Sequence, residues 1–134
     1  MGVSRPARAK LSNRGKPKRV HPAPPTADLA QASRAAIYER SPYHCRGNKG
    51  EPPKVRARPA SICPRRWTDE EATNALRAAI GRGNVSEVWE DGFPRHVWHR
   101  DGDVLYEARH TKGPAGSFHA YPIEEFQAPR GQLK

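Results

Sequence analysis

The apolar residues Ala72, Ala75, Leu76, Ala79 and Ile80 recur at the i, i+3, i+4, i+7, i+8 spacing that places them on one face of an α-helix. The residues before them, Trp67-Thr68-Asp69-Glu70-Glu71, form a T-x-x-E capping box. In such a box Thr68 and Glu71 each satisfy a backbone N–H that the first turn leaves unpaired, and Trp67 stands where it can staple onto Ala72. Gly81 or Gly83 supplies the C-cap, so the pattern predicts a helix within 67–83. From Val85 the periodicity becomes alternating. It predicts strands near 85–90, 94–100, 103–111 and 117–123, with turns at Asp91-Gly92, at Asp101-Gly102 and across 112–116. The expected fold class is α+β, a helix followed by a four-stranded antiparallel β-meander.

An earlier helix is predicted from about Ala27 to Arg40. Leu29, Ala32, Ala36 and Ile37 share a face, Thr26 is placed to cap it and Ser41-Pro42 ends it. Its apolar stripe is thin and Ala-rich, so weak docking is expected.

Turn chemistry fixes which residues share a sheet face. A type I′ turn at Asp101-Gly102 pairs Arg100 with Asp103, and hence Trp98 with Leu105, Val97 with Tyr106 and His96 with Glu107. A five-residue loop pairing Thr111 with Ser117 sets Arg109 against His119, Ala108 against Ala120 and Glu107 against Tyr121. A slip of two residues would leave the faces unchanged. One face then collects Val97, Val104, Tyr106, Ala108, Phe118 and Ala120, an apolar set that the α-helix can cover. The other collects His96, Glu107, Arg109, His119 and Tyr121, bordered by Trp98, Leu105 and Ile123, and is expected to be solvated. His99 and His110 fall on the core side or its edge, as structural residues.

Charge divides the chain unevenly. Residues 1–66 hold sixteen Lys/Arg against three acids, whereas residues 67–134 hold eight against eleven, so the formal net charge of +10 belongs to the first part. Ten of the fourteen prolines also precede Trp67. The expected layout is a disordered basic tail over 1–25, a helix over 26–40, a Pro/Arg-rich linker over 41–66, the α+β domain over 67–130 and a short tail over 131–134. Arg5, Arg8, Lys10, Arg14, Lys16, Lys18 and Arg19 are candidate contacts to nucleic-acid phosphates, since counterion release needs positive charge and no fixed shape.

No apolar run is long enough to span a bilayer, and the basic N-terminus lacks the apolar stretch of a secretory signal, so a cytoplasmic protein with no membrane partner is expected. His44, Cys45 and Cys63 invite a zinc reading, but the two Cys stand far apart with no C-x-x-C knuckle; free thiols or a facultative disulfide, and no cofactor, are expected. The run Gly81-Arg82-Gly83-Asn84 follows a helix instead of opening one and lacks a Lys-Ser/Thr ending, which excludes a phosphate loop. Glu124-Glu125 is read as solvated.

The polar face carries the candidate chemistry. Metal-independent RNA cleavage needs a base for the 2′-OH proton, an acid for the leaving oxygen and a cation for the phosphorane; Glu107 or His96, His119, and Arg109 match those roles, with Tyr121 orienting phosphate or stacking a base. In this, residues 67–126 resemble bacterial endoribonuclease toxins of the barnase, colicin and RelE-like kind, in architecture and without a shared motif. The patterns "GFPRHVW", "LYEARHT" and "FHAYPIE" are similar to those of uncharacterised small proteins of high-GC Gram-positive bacteria over roughly 67–130. That resemblance implies the domain boundary and no activity. The leading expectation is a nucleic-acid binding protein with RNA as ligand, using Trp98 as a flat contact. The alternatives are an endoribonuclease, as a toxin with an acidic protein partner, and a protein-interaction module without nucleic acid.

Overall fold

The computed structural model describes residues 18–39, 67–111 and 114–134. The expectations for Arg5, Arg8, Lys10, Arg14 and Lys16, for the 41–66 linker, and for His44, Cys45 and Cys63 lie outside the described residues.

Helix α1 spans Thr26–Ala35, with Pro25 and not Thr26 at its N-cap. It ends earlier than the periodicity predicts, because Ala36 is extended and Ile37–Tyr38 form strand β1. Ile37 N–H donates to the Gly116 carbonyl at 2.7 Å and Glu39 N–H to that of Phe118 at 2.8 Å, so these tertiary bonds replace another helical turn. Helix α2 spans Asp69–Gly81 and carries the expected capping box, Glu71 N–H to Thr68 Oγ1 at 3.0 Å and Thr68 N–H to Glu71 Oε1 at 2.9 Å. It buries Leu76, Ala79 and Ile80.

The first expected strand is not part of the main sheet. Val85 and Ser86 make single bridges to Val97 and Val20, after which β2 (Trp89–Glu90) and β3 (Phe93–Pro94) form a separate hairpin. Asp91 and Gly92 both have positive φ, 54° and 82°, which fits a type I′ turn. Strands β4 (His96–Asp101), β5 (Val104–His110) and β6 (Ser117–Ile123) are antiparallel, and β1 adds parallel to β6. The order β1-β6-β5-β4 is therefore a mixed sheet and corrects the expected all-antiparallel meander.

The β5–β6 register is the expected one, with Arg109 opposite His119 and Glu107 opposite Tyr121. The β4–β5 register is slipped by two: Asp101 faces Val104, Trp98 faces Glu107 and His96 faces Arg109. The loop residues are Gly102-Asp103, with Gly102 at φ 61°. Glycine in the first loop position favours type II′ over the expected I′, and the slip keeps every residue on its expected face.

The core between helices and sheet gathers Ala32, Ala36, Leu76, Ile80, Val97, Tyr106 and Phe118. The opposite face is covered as well, which corrects the expectation of a solvated face. There Val20, Trp98 and Leu105 form a second core, joined by Ile123, Ala128 and Leu133. Residues 18–21, expected within the disordered tail, form a strap threaded between 85–87 and Arg130. Val20 N–H donates to the Arg130 carbonyl, His21 N–H to that of Val85, both at 2.8 Å, and Glu87 N–H to that of Arg19 at 3.2 Å. Among the described residues no helix is long and apolar enough to cross a membrane.

Candidate functional site

Alternation along β4, β5 and β6 arranges the second face in rows across the strands. One row is His96, Arg109 and His119; the next is Trp98, Glu107 and Tyr121; a third is Arg100, Leu105 and Ile123. Neighbouring rows lie about 7 Å apart, two residues of extended chain. The strap and the C-terminal residues cover Trp98, Glu107 and Leu105, whereas in the first row Arg109 is exposed and His96 and His119 are half-buried.

The middle row is a buried polar network. Glu107 is only 2% exposed. Its Oε1 accepts from Trp98 Nε1 at 3.0 Å, and its Oε2 accepts from Lys18 Nζ at 2.7 Å and from the Tyr121 hydroxyl at 2.5 Å. Burial alone would raise the Glu107 carboxyl. The hydrogen bonds from Lys18 and Tyr121 outweigh it and hold the group below the usual carboxylate range. Burial, reinforced by the Glu107 charge and hydrogen bond, pushes the Tyr121 hydroxyl above its ordinary value.

This geometry redistributes the expected roles. Glu107 is out of reach as a base for a bound 2′-OH, and the Tyr121 proton is committed to it. Trp98 is fully buried, so it offers no face to a base and is removed from the nucleic-acid contacts. Its ring lies instead beneath His96, with centroids 6.1 Å apart at 20°. Desolvation, opposed in part by the Glu107 charge, pulls His96 from 6.5 to about 4, so the imidazole is neutral at pH 7. Lys18 serves Glu107, and Arg19 faces Glu87 at 3.5 Å with about half of its side chain exposed.

His99 and His110 are the structural residues expected. His110 is buried, accepts the Gly116 N–H at Nε2 (2.9 Å), faces Glu90 at Nδ1 (3.4 Å) and stacks on Phe93. His99 lies 3.4 Å from Arg82 and against the edge of Trp67. The helix side of the sheet also holds an apolar cleft bounded by Trp67, Leu76, Val97, Tyr106 and Ala120, with His99 in its lining.

The residue that sequence reasoning missed in its true role is Lys18. Nothing local separates it from the other cations of residues 1–25. The available signal was Glu107 itself, an acid alternating with Leu105 on a face that also carries Trp98: once such a face is covered, the acid requires a counter-charge.

No family model, curated protein or solved structure matches the chain.

Proposed function

We propose that the protein binds nucleic acid, with RNA as its ligand, through the His96–Arg109–His119 row and the basic sequence joined to it. The observation that carries this reading is an exposed guanidinium between two imidazoles, beside a buried acid already neutralised by Lys18. Residues 1–17, which lead into Lys18, contain five Lys/Arg and no acid. Residues 40–66 contain eight against one, and they follow Glu39, whose N–H bonds to the Phe118 carbonyl next to His119. Neither helix favours insertion into a DNA major groove, since α2 opens with Asp69, Glu70 and Glu71 and α1 carries Arg34 as its one basic residue. A guanidinium flanked by two imidazoles on a small sheet suits the backbone of a single strand better.

Binding is favoured over cleavage for two reasons. Glu107 is withdrawn from solvent, and an imidazole that titrates near 4 is a weak general base at neutral pH. The deciding experiment is binding of a single-stranded oligoribonucleotide across a salt series. Affinity should fall steeply with salt, and Arg109→Ala should weaken binding to all sequences alike while reducing the log–log salt slope by about 1. An affinity indifferent to salt would end this reading.

A further inference from the structure

We propose that Lys18 is the charge-compensating residue of the RNA-binding row: by neutralising Glu107 in the row next to His96, Arg109 and His119, it makes polyanion binding conditional on the strap being seated. The proposal rests on the RNA reading above and concerns how that site is controlled.

Glu107 precedes Arg109 by two residues on β5 and faces the same side, so its Cα lies about 7 Å along the strand from the row that would meet phosphate. A bare carboxylate there would repel the ligand that Arg109 attracts. With the strap seated and its cation removed, the repulsion would act through a poorly hydrated interior that screens weakly, because Glu107 is then 2% exposed. The Trp98 and Tyr121 hydrogen bonds stabilise the carboxylate but bring no charge. Lys18, at 2.7 Å, is the cation paired with it in the structure. It sits on a strap held by main-chain bonds to Arg130 and Val85, so displacing the strap removes the compensation at once.

Two roles for Lys18 are separable. If it contacts phosphate directly, its loss cannot be repaired by removing Glu107. If it compensates charge, Glu107→Gln must repair it. Lys18→Met should weaken binding of a single-stranded oligouridylate on the order of tenfold, the scale of one uncompensated unit charge at this range. Lys18→Met/Glu107→Gln should return to within about twofold of the parent. A double variant as weak as Lys18→Met would overturn the proposal.

His96 gives a readout independent of RNA. Glu107, Lys18, Arg109 and Arg95 are the charges that act on its ring. In Lys18→Met the His96 resonances should titrate well above about 4, and the added Glu107→Gln should reverse that shift. An unmoved titration would overturn the coupling even if RNA binds. Absence of RNA binding by the parent protein would end the RNA reading, and with it the proposed consequence. Should Lys18→Met fail to fold, Glu107→Gln alone must tighten oligouridylate binding and lower the His96 midpoint, and no change in either would refute the idea.

Discussion

The Tyr121 hydroxyl and Lys18 Nζ meet on the same oxygen, Glu107 Oε2, at 2.5 and 2.7 Å. Tyr121→Phe keeps the ring and removes one of the two hydrogen bonds that lower the Glu107 pKa. Because the folded pKa lies below the unfolded one, this carboxylate contributes stability above its unfolded pKa and loses it as pH falls through the lower folded value. The variant raises the folded pKa and narrows the gap. Urea unfolding at pH 7 should show a loss of about 2 kcal/mol, typical of a hydrogen bond to a charged group. The difference between the two proteins should shrink as pH falls through the lowered folded value, where the parent's carboxylate takes up its proton as well.

His96 produces an acid sensitivity of its own. Its folded pKa of about 4 lies below the ordinary 6.5, so on acidification the unfolded chain takes the proton first and stability falls between those two values. At about 1.4 kcal/mol per pH unit, the full penalty is at most about 3.5 kcal/mol, reduced by whatever solvent reaches the half-buried ring. His96→Gln should therefore gain stability relative to the parent between pH 6.5 and pH 4, with no such divergence above pH 7. Parallel unfolding curves for the two proteins across that range would show that His96 is not desolvated in solution.

The parts legible in the sequence were those decided locally. The Thr68–Glu71 box and the apolar spacing through Ile80 specify α2 without outside help. Loop length sets the β5–β6 register, and parity keeps Arg109, His119, Glu107 and Tyr121 on one face even though the β4–β5 turn sits one residue from its expected place and the register slips by two. What was not legible depends on distant partners. Ile37 fits a helical stripe as well as a strand, and it is the carbonyls of Gly116 and Phe118 that draw the chain out of α1. Val20 is an isolated apolar residue in a basic run, and only Trp98 and Leu105 give it a place to be buried. The polar residues of the site were therefore identifiable, but which of them meet solvent was not, because the strap decides that.

Gly116 and Gly92 separate backbone conformation from close packing. Both have positive φ, 93° and 82°. A Cβ on Gly92 would meet nothing within 4 Å, whereas on Gly116 it would stand 3.0 Å from both the Ala35 carbonyl oxygen and Phe93 Cζ. Gly92→Ala should cost the conformational term alone, about 1–2 kcal/mol. Gly116→Ala should cost about 1–3 kcal/mol more, since α1, β3 and the approach to β6 must all give way. Equal thermal shifts for the two variants would mean that the α1 end does not pack against Gly116.

Val20 and Arg19 are adjacent in the strap and should respond oppositely to truncation. Val20 is 3% exposed and packs on Trp98 and Leu105, so Val20→Ala removes two methyl groups from the second core and should cost about 2 kcal/mol. Arg19 points outward with a long, exposed ion pair to Glu87, and Arg19→Ala should change stability by less than about 0.5 kcal/mol. On the RNA reading the order reverses for direct charge: Arg19→Ala should reduce the salt slope of binding, while Val20→Ala leaves that slope in place and weakens binding only as far as it unseats Lys18 from Glu107. Denaturation and salt titration of the two variants together therefore test the strap as a structural element and as a charge carrier. Near-zero stability effects at both positions would mean that residues 18–21 stand away from the sheet, leaving Glu107 without its counter-charge.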